Sequence, residues 1–247
     1  MERTEIAGLE LDVEIVGSGE PLLCLLPEYF RAEHAGFVAE LGTRWQVHSP
    51  VHPGFDGRTP PSTFRSVGDI AYLYLDLIER LDAPVRVLAA SLGGWIALEM
   101  AVRSTRSMHS LALIAPLGVK FGGREEREYT DLFALDDAEA LGRLFAHSPP
   151  DYATFGNDAL TQAARDRQYL AYYGWKPYLH QPGLERWLHR IDIPVQLIWG
   201  ERDGFVSTAM GERLADSLPN GRLAVIPGAA HYPQLEVPEA VLAAADL

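Results

Sequence analysis

The chain has 247 residues, 47% of them hydrophobic, which is enough for one large domain with a substantial core. Acidic residues outnumber basic ones 34 to 21, and the net charge of −13 with no Lys/Arg run argues against nucleic acid and acidic membranes as partners. The first residues carry charge without an apolar leader, no apolar run is long enough to span a bilayer, and the lone Cys24 has no disulfide partner, so a soluble, cytoplasmic protein is expected.

Residues 2–6 and 9–16 read as two strands joined at Ala7-Gly8. The apolar run PLLCLL places a third strand over 22–26, with Cys24 packed inside it as a small hydrophobe. A helix near 32–41 and a strand at 45–49 follow. In DIAYLYLDLIERL, Ile70, Leu73, Leu77, Ile78 and Leu81 recur at helical spacing, predicting a helix over 67–81. Then come a strand at 85–90, a helix over 92–103 and a strand at 110–115.

Residues 117–190 interrupt this alternation. They contain no convincing strand, yet they hold half of the chain's aromatic residues, as packing within a helical lobe or as the lining of a ligand cavity. The pattern resumes with strands at 195–199 and 222–226, a helix at 208–217 and another near 238–245. The expectation is an α/β fold: an eight-stranded, mostly parallel sheet flanked by helices, with a core of 1–116 and 191–247 and an inserted helical cap at 117–190.

Chemistry enters at LAASLGGW. Ser91 stands between a strand and a helix, and the small residues Ala89, Gly93 and Gly94 allow a sharp turn there. The N–H of Leu92 then lies at a helix N-terminus, where it can stabilise a developing oxyanion. A serine hydroxyl needs a base and an orienting carboxylate. His231, in IPGAAHYPQ, follows the last strand, and Asp203, in WGERDGFVS, follows the strand at 195–199. All three would meet at the carboxyl rim of the sheet. The plainer alternatives are a turn aspartate and a surface histidine.

AASLGGW, WGERDGFVS and GAAHYPQLEVPE resemble the nucleophile elbow, acid loop and histidine loop of the α/β-hydrolase superfamily, in the family's chain order. SPVHPGFDGRTPPS resembles the loop after its fourth strand. The resemblance covers nearly the whole chain and implies Ser91 as nucleophile, His231 as general base and acid, Asp203 as orienting carboxylate, and no cofactor or metal. It implies hydrolysis of a medium-sized, fairly apolar ester, thioester or lactone through an acyl-enzyme.

The match fails after the third strand. Leu26 and Pro27 stand where the family has His-Gly, and Glu28 where the second oxyanion N–H arises. Pro27 has no N–H to donate, so the hole is expected from the N–H groups of Leu92 and Glu28. Glu28 also opens an alternative, acid–base chemistry in a C–C hydrolase, lyase or cyclase; a non-catalytic binding protein is a third reading. Tyr29, Trp95, Phe133, Tyr172, Trp175 and Phe205 are candidate pocket residues. A small-molecule substrate is the expected partner, and no heptad pattern marks an oligomer.

Overall fold

The computed structural model describes residues 1–81, 83–123 and 125–247. Eight strands form one sheet: β1 (Glu2–Ile6), β2 (Leu9–Val16), β3 (Pro21–Leu25), β4 (Gln46–Pro50), β5 (Val85–Ala90), β6 (Met108–Ile114), β7 (Val195–Gly200) and β8 (Gly221–Ile226). Their spatial order is β1-β2-β4-β3-β5-β6-β7-β8. The β1–β2 and β2–β4 pairs are antiparallel and every other pair is parallel, so the eight-stranded, mostly parallel sheet agrees with the sequence pattern. Ala7 and Gly8 both take positive φ, 49° and 78°, which is the two-residue turn whose twist suits a hairpin.

The central strands are buried on both faces, and their alternation divides the core in two. Leu23, Leu25, Val87, Ala89, Leu111, Leu113, Leu197 and Trp199 point to one side. There they meet α2 (Val67–Ile78) and α3 (Leu92–Arg103). Leu22, Cys24, Leu88, Ala90, Ala112, Ile114 and Ile198 point to the other, against α1 (Ala35–Leu41) and the C-terminal helix Pro238–Ala244. Burial pushes the Cys24 thiol up to about 12, so it stays an uncharged hydrophobe.

Two helices stand in the 117–190 segment, α4 (Asp137–Leu144) and α5 (Asn157–Gly174), with 3₁₀ turns at Leu132–Ala134, Tyr152–Thr154 and Leu184–Arg190. Isolated bridges Gly118↔His180 and Tyr129↔Val206 pin the segment at its base. Three polar contacts tie α5 to the loop after β4: the Tyr173 hydroxyl on Pro53 O, the Tyr172 hydroxyl on Phe64 O, and the Gln162 amide on Phe55 O. After this segment come α6 (Thr208–Ser217), α7 (Pro233–Glu236) and α8 (Pro238–Ala244). Among the described residues no helix is long and apolar enough to cross a membrane.

Candidate active site

Ser91 joins β5 to α3 in a conformation that side chains rarely adopt, φ 50° and ψ −114°. Its surroundings impose the turn: its N–H donates to Ile114 O and its carbonyl accepts from Leu117 N–H. Close approach of α3 to β3 explains the glycine two residues on. A Cβ on Gly93 would lie 2.2 Å from Leu25 O. That approach also brings the chain leaving β3 beside the first N–H of α3. Ala89, where the elbow pattern has glycine, fits its methyl completely into the core.

Asp203 leaves the end of β7. Its Oδ1 accepts the N–H groups of Phe205 and Val206, both at 2.9 Å, and its Oδ2 lies 2.7 Å from His231 Nδ1. Gly200 lets the two loops touch, since a Cβ there would sit 1.9 Å from Ala230 O. His231 Nε2 reaches Ser91 Oγ at 2.9 Å, completing a chain of carboxylate, imidazole and hydroxyl. The His231 N–H donates to Leu144 O at the end of α4, and the rings of Phe205 and Tyr232 pack against its imidazole at 4.8 and 4.9 Å. Three residues from three separate strands thus converge; His231 is buried rather than a surface residue, and Asp203 both holds its own turn through Oδ1 and faces His231 through Oδ2.

The oxyanion region departs from expectation. The Leu92 N–H does not face open space: it donates to Glu28 Oε2 at 3.1 Å. Glu28 Oε1 lies 3.1 Å from Ser91 Oγ and 2.8 Å from the Tyr232 hydroxyl, which donates to it. The carboxyl is 2% exposed. The sequence pointed to the backbone N–H of Glu28; in the fold its side chain takes the Leu92 N–H. Burial, together with the Glu28 carboxyl, holds the Tyr232 phenol well above its ordinary value, so it remains a donor. Tyr232 drew no attention in the sequence, although it directly follows His231.

Two buried histidines hold the loop that carries Glu28. His52 Nε2–H donates to Leu26 O at 2.9 Å while its Nδ1 accepts the Tyr74 hydroxyl at 2.7 Å. His34 Nδ1–H donates to Phe30 O at 2.7 Å, and its Nε2 accepts from the Gln234 amide. Those partners define one neutral tautomer for each ring. Burial lowers both to about 4. Leu26 O is therefore clamped from another part of the chain, and Phe30 O by His34, four residues on and itself held by Gln234. His52 and His34 position a loop, and neither touches the serine.

The candidate pocket residues separate. Tyr29 lines a cavity of about 280 Å³ between the core and α4/α5, with Leu132, Leu141, Leu144, Tyr152 and Arg167. Phe205 is packed against His231. Phe133 lies under the Arg167 guanidinium and edge-on to Trp175. Trp175 is 56% exposed and borders a separate open groove beside Tyr178. Tyr172 is 47% exposed and bonded to Phe64 O, so it faces outward and does not line this cavity. Trp95 is a core residue: its Nε1–H donates to Glu99, and its ring fills the space that Gly118 leaves.

A model of the alpha/beta hydrolase family matches residues 17–245. A pimeloyl-[acyl-carrier protein] methyl ester esterase of Neisseria meningitidis serogroup B is 30% identical over 233 residues, covering 83% of this chain and 83% of that protein. Among solved structures, a membrane phospholipase A described as a bacterial virulence factor superposes with a TM-score of 0.80 at 23% identity, covering 98% of this chain and 83% of that one. An alpha/beta hydrolase fold protein from Burkholderia ambifaria gives 0.72 at 24% identity, covering 98% and 96%. These likenesses share the fold, and the family model spans the elbow, the acid loop and the histidine loop together: the chain belongs to the alpha/beta hydrolase family.

Proposed function

We propose that this chain is a cofactor-independent serine esterase that cleaves a small to medium-sized, largely apolar acyl ester, thioester or lactone. Ser91 is the nucleophile, His231 the general base and then acid, and Asp203 the carboxylate that orients it. One observation carries the reading: a buried Asp203–His231–Ser91 hydrogen-bond chain ends at a serine held at φ 50°. Asp203 Oδ2 takes the Nδ1 proton of His231, which leaves Nε2 free to accept the proton of Ser91 as Oγ attacks.

The acyl group is assigned to the cavity of about 280 Å³. None of Ser91, Asp203 and His231 lines it; its wall Leu144 accepts the backbone N–H of His231, and its wall Tyr29 follows Glu28 in sequence. Its volume lies just below the usual range of roughly 300–1,000 Å³ for small-molecule pockets, which favours an acyl group of modest size. Leu132, Leu141, Leu144 and Ala163 make it largely apolar, with Arg167 and Asp137, 3.7 Å apart, as its charged wall. Ser91 and His231 are each 1% exposed, so substrate enters as α4 and α5 yield. The esterase relatives act, by name, on a methyl ester of an acyl chain, which fits this chemistry.

Wild type, Ser91→Ala and His231→Ala are exposed to a fluorophosphonate, with adducts located by mass spectrometry. Stoichiometric labelling at Ser91, abolished in both variants, is expected. Folded wild type that stays unlabelled refutes the proposal. A panel of p-nitrophenyl esters of increasing acyl length then sizes the cavity, with activity falling once the chain outgrows it.

A further inference from the structure

The Glu28 carboxyl is the feature of this site that ester hydrolysis as written above does not use. It lies within hydrogen-bond distance of Leu92 N–H, Ser91 Oγ and the Tyr232 hydroxyl, on a loop clamped at Leu26 O and Phe30 O. An ionised carboxylate so close to a carbonyl oxygen that is becoming negative would oppose the transition state, whereas a donor there would favour it. Pro27, which precedes Glu28, has no N–H to offer.

Proton inventory resolves the conflict. Ser91 has one hydroxyl proton and lies between two acceptors, His231 Nε2 at 2.9 Å and Glu28 Oε1 at 3.1 Å. If Glu28 is ionised and His231 doubly protonated, Ser91 donates to Glu28 and His231 donates to Ser91. If the mobile proton sits on Glu28, Glu28 donates to Ser91 and Ser91 donates to His231. Both arrangements contain the same number of protons and the same net charge, and they interconvert by shifting two protons along the existing hydrogen bonds. Only the second leaves His231 able to accept the serine proton.

Building on the acyl-transfer reading, we infer that Glu28 is a catalytic acid–base residue that protonates the substrate's carbonyl oxygen as it sits on the Leu92 N–H. The carbonyl oxygen takes the position of Glu28 Oε2 on the Leu92 N–H, and the carboxyl withdraws to hydrogen-bond that oxygen. As the bond from Ser91 Oγ to the carbonyl carbon forms, the C=O π pair moves onto oxygen. The serine proton passes to His231 Nε2 and the Glu28 proton passes to the oxygen, leaving an uncharged tetrahedral intermediate. On collapse the oxygen returns its proton to Glu28, the C=O bond re-forms, the bond to the leaving oxygen breaks, and His231 protonates that oxygen. Water repeats the cycle on the acyl-enzyme. Tyr232 stabilises the Glu28 carboxylate between the two transfers.

The test is the acylation burst with a p-nitrophenyl ester in wild type, Glu28→Gln and Glu28→Ala, with folding checked by circular dichroism. General acid–base catalysis contributes about 10²–10⁴-fold, so both variants should lose acylation rate by a factor in that range. Formate, added at constant pH and ionic strength, should restore part of the rate in Glu28→Ala by filling the vacated space. If the carboxyl merely blocks the site, the variants acylate as fast as wild type or faster, and formate inhibits; either result overturns the inference. Glu28→Gln, which keeps the shape and the bond from Leu92 N–H, decides the matter if the alanine variant misfolds. Equal bursts in wild type and Glu28→Gln remove the role of Glu28 alone, whereas a wild type that forms no Ser91 acyl-enzyme removes the acyl-transfer reading as well.

Discussion

Asp203→Asn isolates the orienting carboxylate with little change of shape. Asp203 Oδ1 accepts two backbone N–H groups, from Phe205 and Val206, and only an oxygen can fill that place. The asparagine must therefore keep its carbonyl there and turn its NH₂ toward His231 Nδ1, formerly 2.7 Å from a carboxylate oxygen. A donor facing Nδ1 forces the imidazole proton onto Nε2, which then donates to Ser91 Oγ and cannot accept from it. Loss of tautomer control costs about 10⁴-fold in turnover, close to 5 kcal/mol of transition-state stabilisation. Asp203→Ala additionally leaves both N–H groups without a partner, at roughly 1–3 kcal/mol each, so it should lose stability that asparagine preserves. The assays are the second-order rate of fluorophosphonate labelling and urea unfolding. An asparagine variant that labels within tenfold of wild type would refute the assignment of Asp203, and one that unfolds like the alanine variant would refute the argument about the two N–H groups.

Stability should fall on acidification from about pH 6.5 toward pH 4. His34 and His52 are neutral in the fold at about 4 against 6.5 unfolded, so their contribution is complete above 6.5 and lost as the pH falls through 4, at about 1.4 kcal/mol per pH unit for each. Asp166 acts with the opposite sign. Burial raises it to about 7, so its contribution is present below 3.8 and lost as the pH rises to 7. Urea titrations of wild type and Asp166→Asn should show the variant more stable at pH 8 and its acid loss steeper; parallel curves contradict the assignment. Gly200→Ala, whose Cβ meets the Ala230 carbonyl at 1.9 Å, should lose both stability and labelling because His231 is the next residue. Gly142→Ala, exposed in α4 with nothing near its Cβ, should gain about 0.5–1 kcal/mol and leave labelling unchanged. Thermal melts of the two glycine variants moving in the same direction would defeat that contrast.

Most of the sheet could be read along the chain because the buried strands are continuous apolar runs whose register needs no knowledge of their neighbours. The discrepancies fall where tertiary contact decides. β6 begins at Met108, two residues early, because Val85 pairs with Met108 across an irregular register. The first helix begins at Ala35, not 32, because residues 31–34 turn to present His34 to Phe30 O. Helix α2 stops at Ile78, yet Leu81 still packs on the core, so its spacing matched a helix that the backbone no longer continues. Ser91, Asp203 and His231 were legible for a local reason: each follows directly from a strand end, so chain order alone places them on one rim.

Glu28 was visible as an anomaly but not as a geometry. Whether its side chain points outward or folds onto Leu92 depends on His52 holding Leu26 O, on His34 and Gln234 holding Phe30, and on Tyr232 supplying a hydroxyl. Those four residues lie between 6 and 206 positions away along the chain, and none shares a motif with it. The aromatic candidates separate for the same reason: Tyr29 lines the cavity, whereas Trp95 and Tyr172 do not. Trp95 fills the space beside Gly118, whereas Tyr172 lies on the surface bonded to Phe64 O. Backbone position near a catalytic rim follows from secondary structure; side-chain direction follows from which distant groups supply hydrogen bonds and volume. Replacing His52 by Phe, which removes the clamp on Leu26 O while keeping the ring, should therefore impair acylation more than binding, since it disturbs Glu28 without touching Ser91. A matched rise in KM with unchanged kcat would show instead that the loop serves only to shape the pocket.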